Sequence, residues 1–140
     1  MRYEMLSREM EGKIRQHLEL ARGFLDTAVI RPDSSEFEER NALSRAYYAM
    51  FHACCAWLAS KFGIVDKLGH QKLVDEMHRR RGKDFGDLVR DARGMRRAAD
   101  YREDWKPQRL VTENRLRKTV TEVVRLCEET QSEIRKGSLS

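Results

Sequence analysis

The longest apolar segment of the chain runs from Ala46 to Ala59, and His52 is its only plainly polar side chain. This segment predicts a buried helix, because a membrane span needs about 20 apolar residues and this segment is shorter. A helix that is apolar on nearly all sides needs other helices around it. We therefore expect a central helix whose buried side chains include Tyr47, Met50, Phe51, Cys54 and Trp57.

Apolar residues at three-to-four spacing predict a further helix before this one, over about residues 3–29. Pro32 interrupts the pattern, since the residue before a proline disfavours the helical conformation. Ser35 and Glu38 form a plausible capping box for the start of the central helix. Gly63 is well placed to end it, because glycine adopts the left-handed conformation at helix ends.

The second half of the chain contains three more helical patterns. A short helix is expected over about residues 70–80, ended by Gly82, and a final helix over about residues 108–136. Between them, a helix is expected from about Asp84 to residues 105–107, with an inner face of Phe85, Leu88, Val89, Ala92, Met95 and Ala99. The predicted fold is all-α, an up-and-down four-helix bundle with an additional short helix.

Composition agrees with this fold class, since the chain has only two prolines and eight glycines while 36% of its residues are charged. We expect a single domain over residues 1–136 and a disordered tail over residues 137–140. Three cysteines on apolar helical segments predict free thiols in a reducing compartment. The first residues lack the apolar core of a signal peptide, so we expect a cytoplasmic protein that does not enter a membrane.

No metal or cofactor site is expected. The four histidines lie far apart in the sequence, and no cysteine pair has the spacing of a zinc site. Asp75 and His78 form one acid-x-x-His step, whereas a di-metal bundle needs two such motifs. Cys54 and Cys55 lie in the most apolar segment, where a thiol stays protonated and unreactive.

The net charge of +5 is concentrated in one segment. Residues 78–102 contain nine basic and four acidic residues, and the rest of the chain is balanced. Arg90, Arg93 and Arg97 recur at helical spacing, so they form one positive ridge that suits phosphate groups. The alternative is a solvated outer face whose charge is relieved by Asp87, Asp91 and Asp100.

A line of polar residues follows one face of the central helix: Asn41, Arg45, Tyr48 and His52. These side chains either make structural hydrogen bonds or line a polar groove for a ligand or a second subunit.

If the line faces the fourth helix, Arg45, Tyr48 and His52 would share one pocket with Arg97, Asp100 and Tyr101. Asp100 would then pair with Arg45 or Arg97 through a charge-assisted bond, and Arg93 and Arg96 would lie nearer the mouth of the pocket.

Three segments resemble the HEPN family, the nucleotide-binding helical domains of prokaryotes and higher eukaryotes. They are Ser-Arg-Ala-Tyr-Tyr-Ala-Met-Phe-His-Ala over residues 44–53, Gly-His-Gln-Lys over 69–72, and Arg-Arg-Ala-Ala-Asp-Tyr over 96–101. The resemblance covers about residues 2–130. It implies a helical bundle, a homodimer and the binding of a nucleotide or RNA. Together with the polar line and the basic ridge, it makes the following residues the candidate binding site: Arg45, Tyr48, His52, Arg93, Arg96, Arg97, Asp100 and Tyr101. The apolar excess on the central helix also favours a homodimer.

HEPN proteins that cleave RNA carry an arginine followed by a histidine after four to six residues. Four residues lie between Arg96 and Tyr101 and between Arg97 and Arg102, and no histidine follows His78. Because tyrosine and arginine are poor general bases near neutral pH, the chain resembles the branch that lacks the nuclease histidine.

That branch resembles proteins encoded beside minimal nucleotidyltransferases in toxin–antitoxin-like pairs. The resemblance therefore implies a nucleotide- or RNA-binding HEPN partner of such an enzyme. Two alternatives are open: a metal-independent HEPN ribonuclease toxin that uses a displaced histidine such as His52, and a non-catalytic helical interaction module.

Overall fold

The computed structural model describes residues 7–104, 106 and 108–139, with side chains up to residue 137. It contains five helices: α1 (Arg8–Thr27), α2 (Glu36–Phe62), α3 (His70–Arg81), α4 (Lys83–Tyr101) and α5 (Arg109–Leu139). No strand occurs among these residues. The predicted all-α bundle of four long helices and one short helix is therefore confirmed.

The predicted capping box at the start of α2 and the predicted glycine ends of α2 and α3 are confirmed. The hydroxyl of Ser35 accepts a hydrogen bond from the Glu38 amide at 3.1 Å, and the Glu38 carboxylate accepts one from the Ser35 amide at 3.0 Å. Gly63 ends α2 with a φ of 69°. Gly82, with a φ of 100°, is the single residue between α3 and α4. The backbone has a positive φ at both positions, a conformation that residues other than glycine rarely adopt.

Some helix ends differ from their predicted positions. α1 stops at Thr27, because the amide of Ala28 turns back to the Leu25 carbonyl at 3.1 Å. The predicted start of α1 at residue 3 and the Trp105 and Pro107 breakers lie outside the described residues. α4 ends at Tyr101, and α5 continues through residues 137–139, which were expected in a tail.

α2 is the centre of the bundle and packs against α1, α4 and α5. Tyr47, Met50 and Cys54 are fully buried, as predicted. Phe51 is only half-buried, because it lies at the edge of α2, with its ring centroid 5.0 Å from that of His70 at the start of α3. Among the described residues, no helix is both long enough and apolar enough to cross a membrane.

Only part of the predicted inner face of α4 is buried. Val89 is fully buried, whereas Leu88, Ala92 and Met95 are partly exposed. α4 rests on α2 and α3 and has little contact with α5. The divergence of α4 from α5 leaves a groove between them.

Candidate functional site

Two helices contribute polar side chains to one compact arrangement, which we call the tyrosine–arginine cluster: Ser44, Tyr48, Arg96, Asp100 and Tyr101. Nη2 of Arg96 donates hydrogen bonds to the hydroxyl oxygens of Tyr48 at 2.5 Å and Tyr101 at 3.3 Å. The guanidinium carbon lies 5.1 Å from the centroid of the Tyr48 ring and 5.3 Å from that of the Tyr101 ring. Arg96 is therefore held by cation–π contacts and hydrogen bonds together.

Asp100 completes the cluster. Its Oδ2 atom lies 3.0 Å from Nε of Arg96, in an ion pair without an aligned hydrogen bond. The same Oδ2 atom accepts a hydrogen bond from the Ser44 hydroxyl at 3.2 Å. Partial burial alone would lower the pKa of Arg96, but the two tyrosines and Asp100 raise it. Arg96 thus carries a fixed positive charge in a side chain that is only 14% exposed.

A second polar arrangement lies beside the cluster, where the Tyr47 hydroxyl is hydrogen-bonded to Nδ1 of His70. Burial raises the pKa of Tyr47 to about 12. Burial also lowers the pKa of His70, and the charges of Arg93 and Arg96 lower it further. Both side chains of this Tyr47–His70 pair are therefore uncharged at neutral pH.

Among the described residues, two of the three arginines in the predicted ridge have no carboxylate partner. Arg93 donates to the neutral amide oxygen of Gln71 at 3.4 Å. Arg97 is exposed and makes no ion pair within the described part of the chain. Arg90, in contrast, lies 3.3 Å from an Asp87 oxygen and is neutralised. We call Arg93 and Arg97 the basic face of α4.

The predicted polar pocket is divided between two interfaces. Arg45 donates to the Thr27 hydroxyl at 3.4 Å, and Nδ1 of His52 lies 3.0 Å from Nδ1 of His17, so both side chains turn towards α1. The prediction that Asp100 pairs with Arg45 or Arg97 is wrong, since Asp100 pairs with Arg96. α1 lies along this side of α2 and places the Phe24 ring against both Tyr48 and His52.

His52 belongs to the interior of the α1–α2 interface. Burial, followed by the proximity of His17, lowers its pKa to about 4. Burial also lowers the pKa of His17. The imidazole whose pKa responds to the arginines of α4 is that of His70.

Sequence reasoning missed His70 and Ser44 as members of the site. The sequence places His70 at the start of a helix and in one of the three resembling segments, but its position beside Tyr47 depends on the loop over residues 63–69. Ser44 lies one residue before Arg45, beside the polar line, and reaches Asp100 from an adjacent face of α2. The spacing of Ser44 and Tyr48, one helical turn apart, is the signal that could have joined them.

Other side chains with possible chemistry are unreactive or already paired. Burial raises the pKa of Cys54 well above its ordinary value and that of Cys55 to about 12, so both thiols stay protonated. His78 pairs with Asp87 at 2.9 Å. Within the described residues, no three potential metal ligands come together.

Comparison with protein-family models and with curated proteins finds no significant match to this chain. The resemblance to HEPN proteins therefore depends on the three sequence segments described above. An all-helical bundle is compatible with it, but helical bundles serve many unrelated functions, so the function has to be argued from the site.

Proposed function

We propose that the chain is a HEPN-type protein that binds the phosphate groups of a nucleotide or of RNA on the basic face of α4. We further propose that it partners a minimal nucleotidyltransferase in a toxin–antitoxin-like pair. The observation that carries the binding proposal is that Arg93 and Arg97 lack a carboxylate partner in the described part of the chain. The nucleotidyltransferase is proposed from the sequence resemblance alone.

The surroundings of these arginines favour a phosphate ligand. Arg93 and Arg97 lie one helical turn apart, so both can contact one phosphate group or two neighbouring ones. Arg96 adds a fixed charge behind them. Phosphate contacts of this kind provide affinity without reading a base sequence.

Tyr101 favours nucleic acid over a simple anion. Its side chain is 68% exposed, although its ring also contacts the Arg96 guanidinium. An exposed aromatic ring beside a positive surface is a stacking platform for an unpaired base. The combination therefore fits a nucleotide or single-stranded RNA.

Binding is tested by fluorescence anisotropy with a labelled single-stranded RNA and with labelled ATP at several salt concentrations. Arg93→Ala and Arg97→Ala should each weaken binding about tenfold and reduce the salt slope by about one. Tyr101→Ala should weaken RNA binding with little change in the salt slope. Arg22→Ala removes an exposed charge from α1 and is the matched control. Equal losses for Arg22→Ala and Arg93→Ala would reject the proposed site.

The homodimer stays a prediction. A single chain already covers the apolar segment of α2, since Ala46, Met50 and Leu58 are at most 3% exposed. The expectation of a dimer therefore depends on the resemblance. Light scattering at low micromolar concentration should give twice the 16.5 kDa chain mass, and a monomer mass would reject the dimer.

The proposed pairing and location have their own tests. A nucleotidyltransferase gene beside this one, with a product that co-purifies with the chain, would support the pairing. We propose a cytoplasmic location, in which the free thiols of Cys54, Cys55 and Cys127 stay reduced.

The second candidate function is metal-independent RNA cleavage with His70 as the base. The supporting observation is that His70 is an uncharged imidazole whose pKa is influenced by Arg93 and Arg96. In the tautomer whose Nδ1–H donates to the Tyr47 oxygen, Nε2 is free to accept a proton. Nε2 of His70 would take the proton of a ribose 2′-hydroxyl while the 2′-oxygen attacks the adjacent phosphorus. The 5′-oxygen would leave with a proton from water, giving a 2′,3′-cyclic phosphate.

Incubation with labelled RNA, with and without a chelator, tests this candidate. Cleavage should persist in the chelator, disappear in His70→Ala and survive in His52→Ala. RNA that stays intact under both conditions would remove the nuclease. If neither RNA nor nucleotide binds, a non-catalytic helical interaction module is the remaining alternative.

A further inference from the structure

The groove between α4 and α5 lies on a different surface from the basic face of α4. It consists of two adjoining cavities of about 730 and 450 Å³, which share Asp91, Met95, Val111 and Arg115 in their walls. Along α4 and its C-terminal cap Arg102, the lining extends over residues 88–102. At 1.5 Å per residue this is about 20 Å, or about four helical turns.

The floor of the groove is apolar and is patterned like a helix-packing surface. Leu88, Ala92 and Met95 recur at helical spacing on α4 and are only partly buried. Val111 on α5 is 46% exposed. This stripe has the sequence pattern of an inner face, but the other described helices cover it only in part: Leu88 packs against the core, and all three side chains stay partly exposed. An additional helix in the groove would bury the stripe in the way that helices of a bundle bury one another.

The rim of the groove is predominantly basic. Arg115 and Lys118 lie one turn apart on α5, are exposed, and make no ion pair in the described part of the chain. Arg102 adds a third cation, which Asp104 partly offsets at 3.6 Å, and Asp91 is the one acidic side chain in the described lining. Asp91 is itself 3.7 Å from Arg90. The rim therefore carries positive charge that an acidic partner would neutralise.

From this combination we propose that the groove is the docking site for an acidic amphipathic helix of another protein. The apolar side of that helix would contact Leu88, Ala92 and Met95, with anchors at i, i+3, i+4 and i+7. Its carboxylates would lie beside Arg115 and Lys118. Gly94 and Ala98, also in the lining, leave room for the partner backbone to approach α4 closely. This inference goes beyond the proposed phosphate site and does not depend on it.

Charge argues against one other occupant of the groove, and the apolar floor argues against a second. A second copy of the chain docking groove to groove would bring Arg115 and Lys118 near their own counterparts, and like charges repel. A nucleic acid would satisfy the rim but would leave the apolar floor without an apolar partner. The acidic helix satisfies both the floor and the rim.

The test is a display library of amphipathic peptides about four turns long, with leucines fixed at helical spacing and the polar positions randomised. The library is selected on the full chain and counter-selected on Met95→Glu. We expect the retained peptides to be enriched in Asp and Glu. Their affinity should fall about tenfold with Met95→Glu and with Arg115→Glu/Lys118→Glu, and it should weaken with salt.

Arg93→Glu, a charge reversal on the basic face of α4, is the matched control and should leave peptide affinity unchanged. Backbone NMR shifts on binding should concentrate in residues 88–98 and 111–119. Because Met95 is partly buried, each variant is checked for native melting. The exposed Arg115→Glu/Lys118→Glu pair remains usable if Met95→Glu unfolds.

Four results would each overturn the inference. The first is a library with no enrichment over the counter-selection, and the second is enrichment of neutral or basic peptides. The third is a solution dimer that Met95→Glu dissociates, which would identify the groove as a contact between copies. The fourth is displacement of the peptide by RNA whose binding needs Arg115 and Lys118, which would identify a nucleic-acid groove.

Discussion

Arg96 illustrates how one side chain can be fixed by contacts of different kinds. The Tyr48 and Tyr101 rings flank its guanidinium, and the Asp100 carboxylate supplies the opposite charge at 3.0 Å. Removal of the Asp100 carboxylate would leave the Arg96 guanidinium partly buried without its counter-charge, so the cost of its desolvation would no longer be compensated. The two tyrosine hydroxyls remain as acceptors, so they limit the loss.

We expect Asp100→Ala to lower the free energy of unfolding by about 1–2 kcal/mol in urea denaturation, because it removes the carboxylate beside Arg96. Asp104→Ala is the control, since Asp104 lies 3.6 Å from Arg102 and both side chains are well exposed. An exposed pair contributes about 0–1 kcal/mol. A loss for Asp100→Ala no larger than that for Asp104→Ala would contradict the role given to Asp100.

The burial of His52, together with its proximity to His17, makes stability depend on pH. The pKa of His52 is about 4 in the folded chain and near its ordinary 6.5 in the unfolded chain. Between these values the unfolded state binds more protons, so the free energy of unfolding falls as the pH drops from about 6.5 towards 4. Above 6.5 the contribution of His52 is complete.

We expect a loss of about 1–2 kcal/mol across this range, allowing for partial exposure of the ring. His52→Gln should make the free energy of unfolding less dependent on pH, as measured by urea denaturation at pH 7, 6, 5 and about 4.5. Some slope should remain, because the pKa values of His17 and His70 are also lowered. The hydrogen bonds from His78 and Lys83 lower the pKa of Asp87 to about 2, so Asp87 changes the stability only at more acidic pH. An unchanged slope in His52→Gln would contradict the assignment.

Helical spacing could have predicted part of this residue-level arrangement, because Arg96 and Asp100 are one turn apart on the same helix. The prediction instead gave Asp100 a partner in Arg45 or Arg97. Which helix the polar line on α2 faces depends on the rotation of α2 in the bundle, and spacing along α2 does not define that rotation. Arg45 and His52 therefore turned out to face α1, whereas Tyr48 reaches α4.

At the level of elements, the two glycines within α4 differ although the sequence treats them alike. A Cβ atom added at Gly94 would have nothing within 4 Å outside its own local backbone, whereas one added at Gly86 would lie 2.0 Å from Cδ2 of His78. Asp87 holds the His78 ring at 2.9 Å. An alanine at position 86 therefore has to displace a ring that is already bonded.

Gly94→Ala should raise the free energy of unfolding by up to about 1 kcal/mol, because alanine restricts the unfolded chain and favours the helix. Gly86→Ala should lower the free energy of unfolding by about 1 kcal/mol or more, since the clash with His78 outweighs the gain in helix propensity. Urea denaturation of the two variants makes a matched comparison. Equal stabilisation by both would contradict the close packing of Gly86 on His78.

The helices were more predictable than their contacts. Capping by Ser35 and Glu38 and termination at Gly63 are local events that a few neighbouring residues define. The exposure of Leu88, Ala92 and Met95 is not local, because it depends on the divergence of α4 from α5. The periodicity of α4 is the same whether its apolar face meets a helix of this chain or of another.

Across the whole molecule, the short helix α3 and the last helix α5 are linked mainly by side chains. α3 packs on α4 and α2. Both terminal nitrogens of Arg81, at the end of α3, donate to the Glu129 carboxylate of α5 at 2.9 and 2.7 Å. Trp57 of α2 donates to the same carboxylate at 3.2 Å. Glu129 thus joins three helices at one end of the bundle, and the bond to Arg81 lowers its pKa.

Glu129→Ala should therefore destabilise the chain by about 2–3 kcal/mol, because Arg81 is only 17% exposed and loses its bidentate partner. Contacts of its guanidinium with the rings of Trp57 and Phe85 would retain part of the interaction. Amide hydrogen exchange should accelerate more in α3 and α4 than in α1, since the α3–α4 pair loses a connection to α5. Glu9→Ala, which removes an exposed 3.7 Å ion pair to Lys13 within α1, is the control and should change stability by less than about 1 kcal/mol. Uniform acceleration in all helices would show that Glu129 supports the bundle as a whole and does not specifically hold the α3–α4 pair.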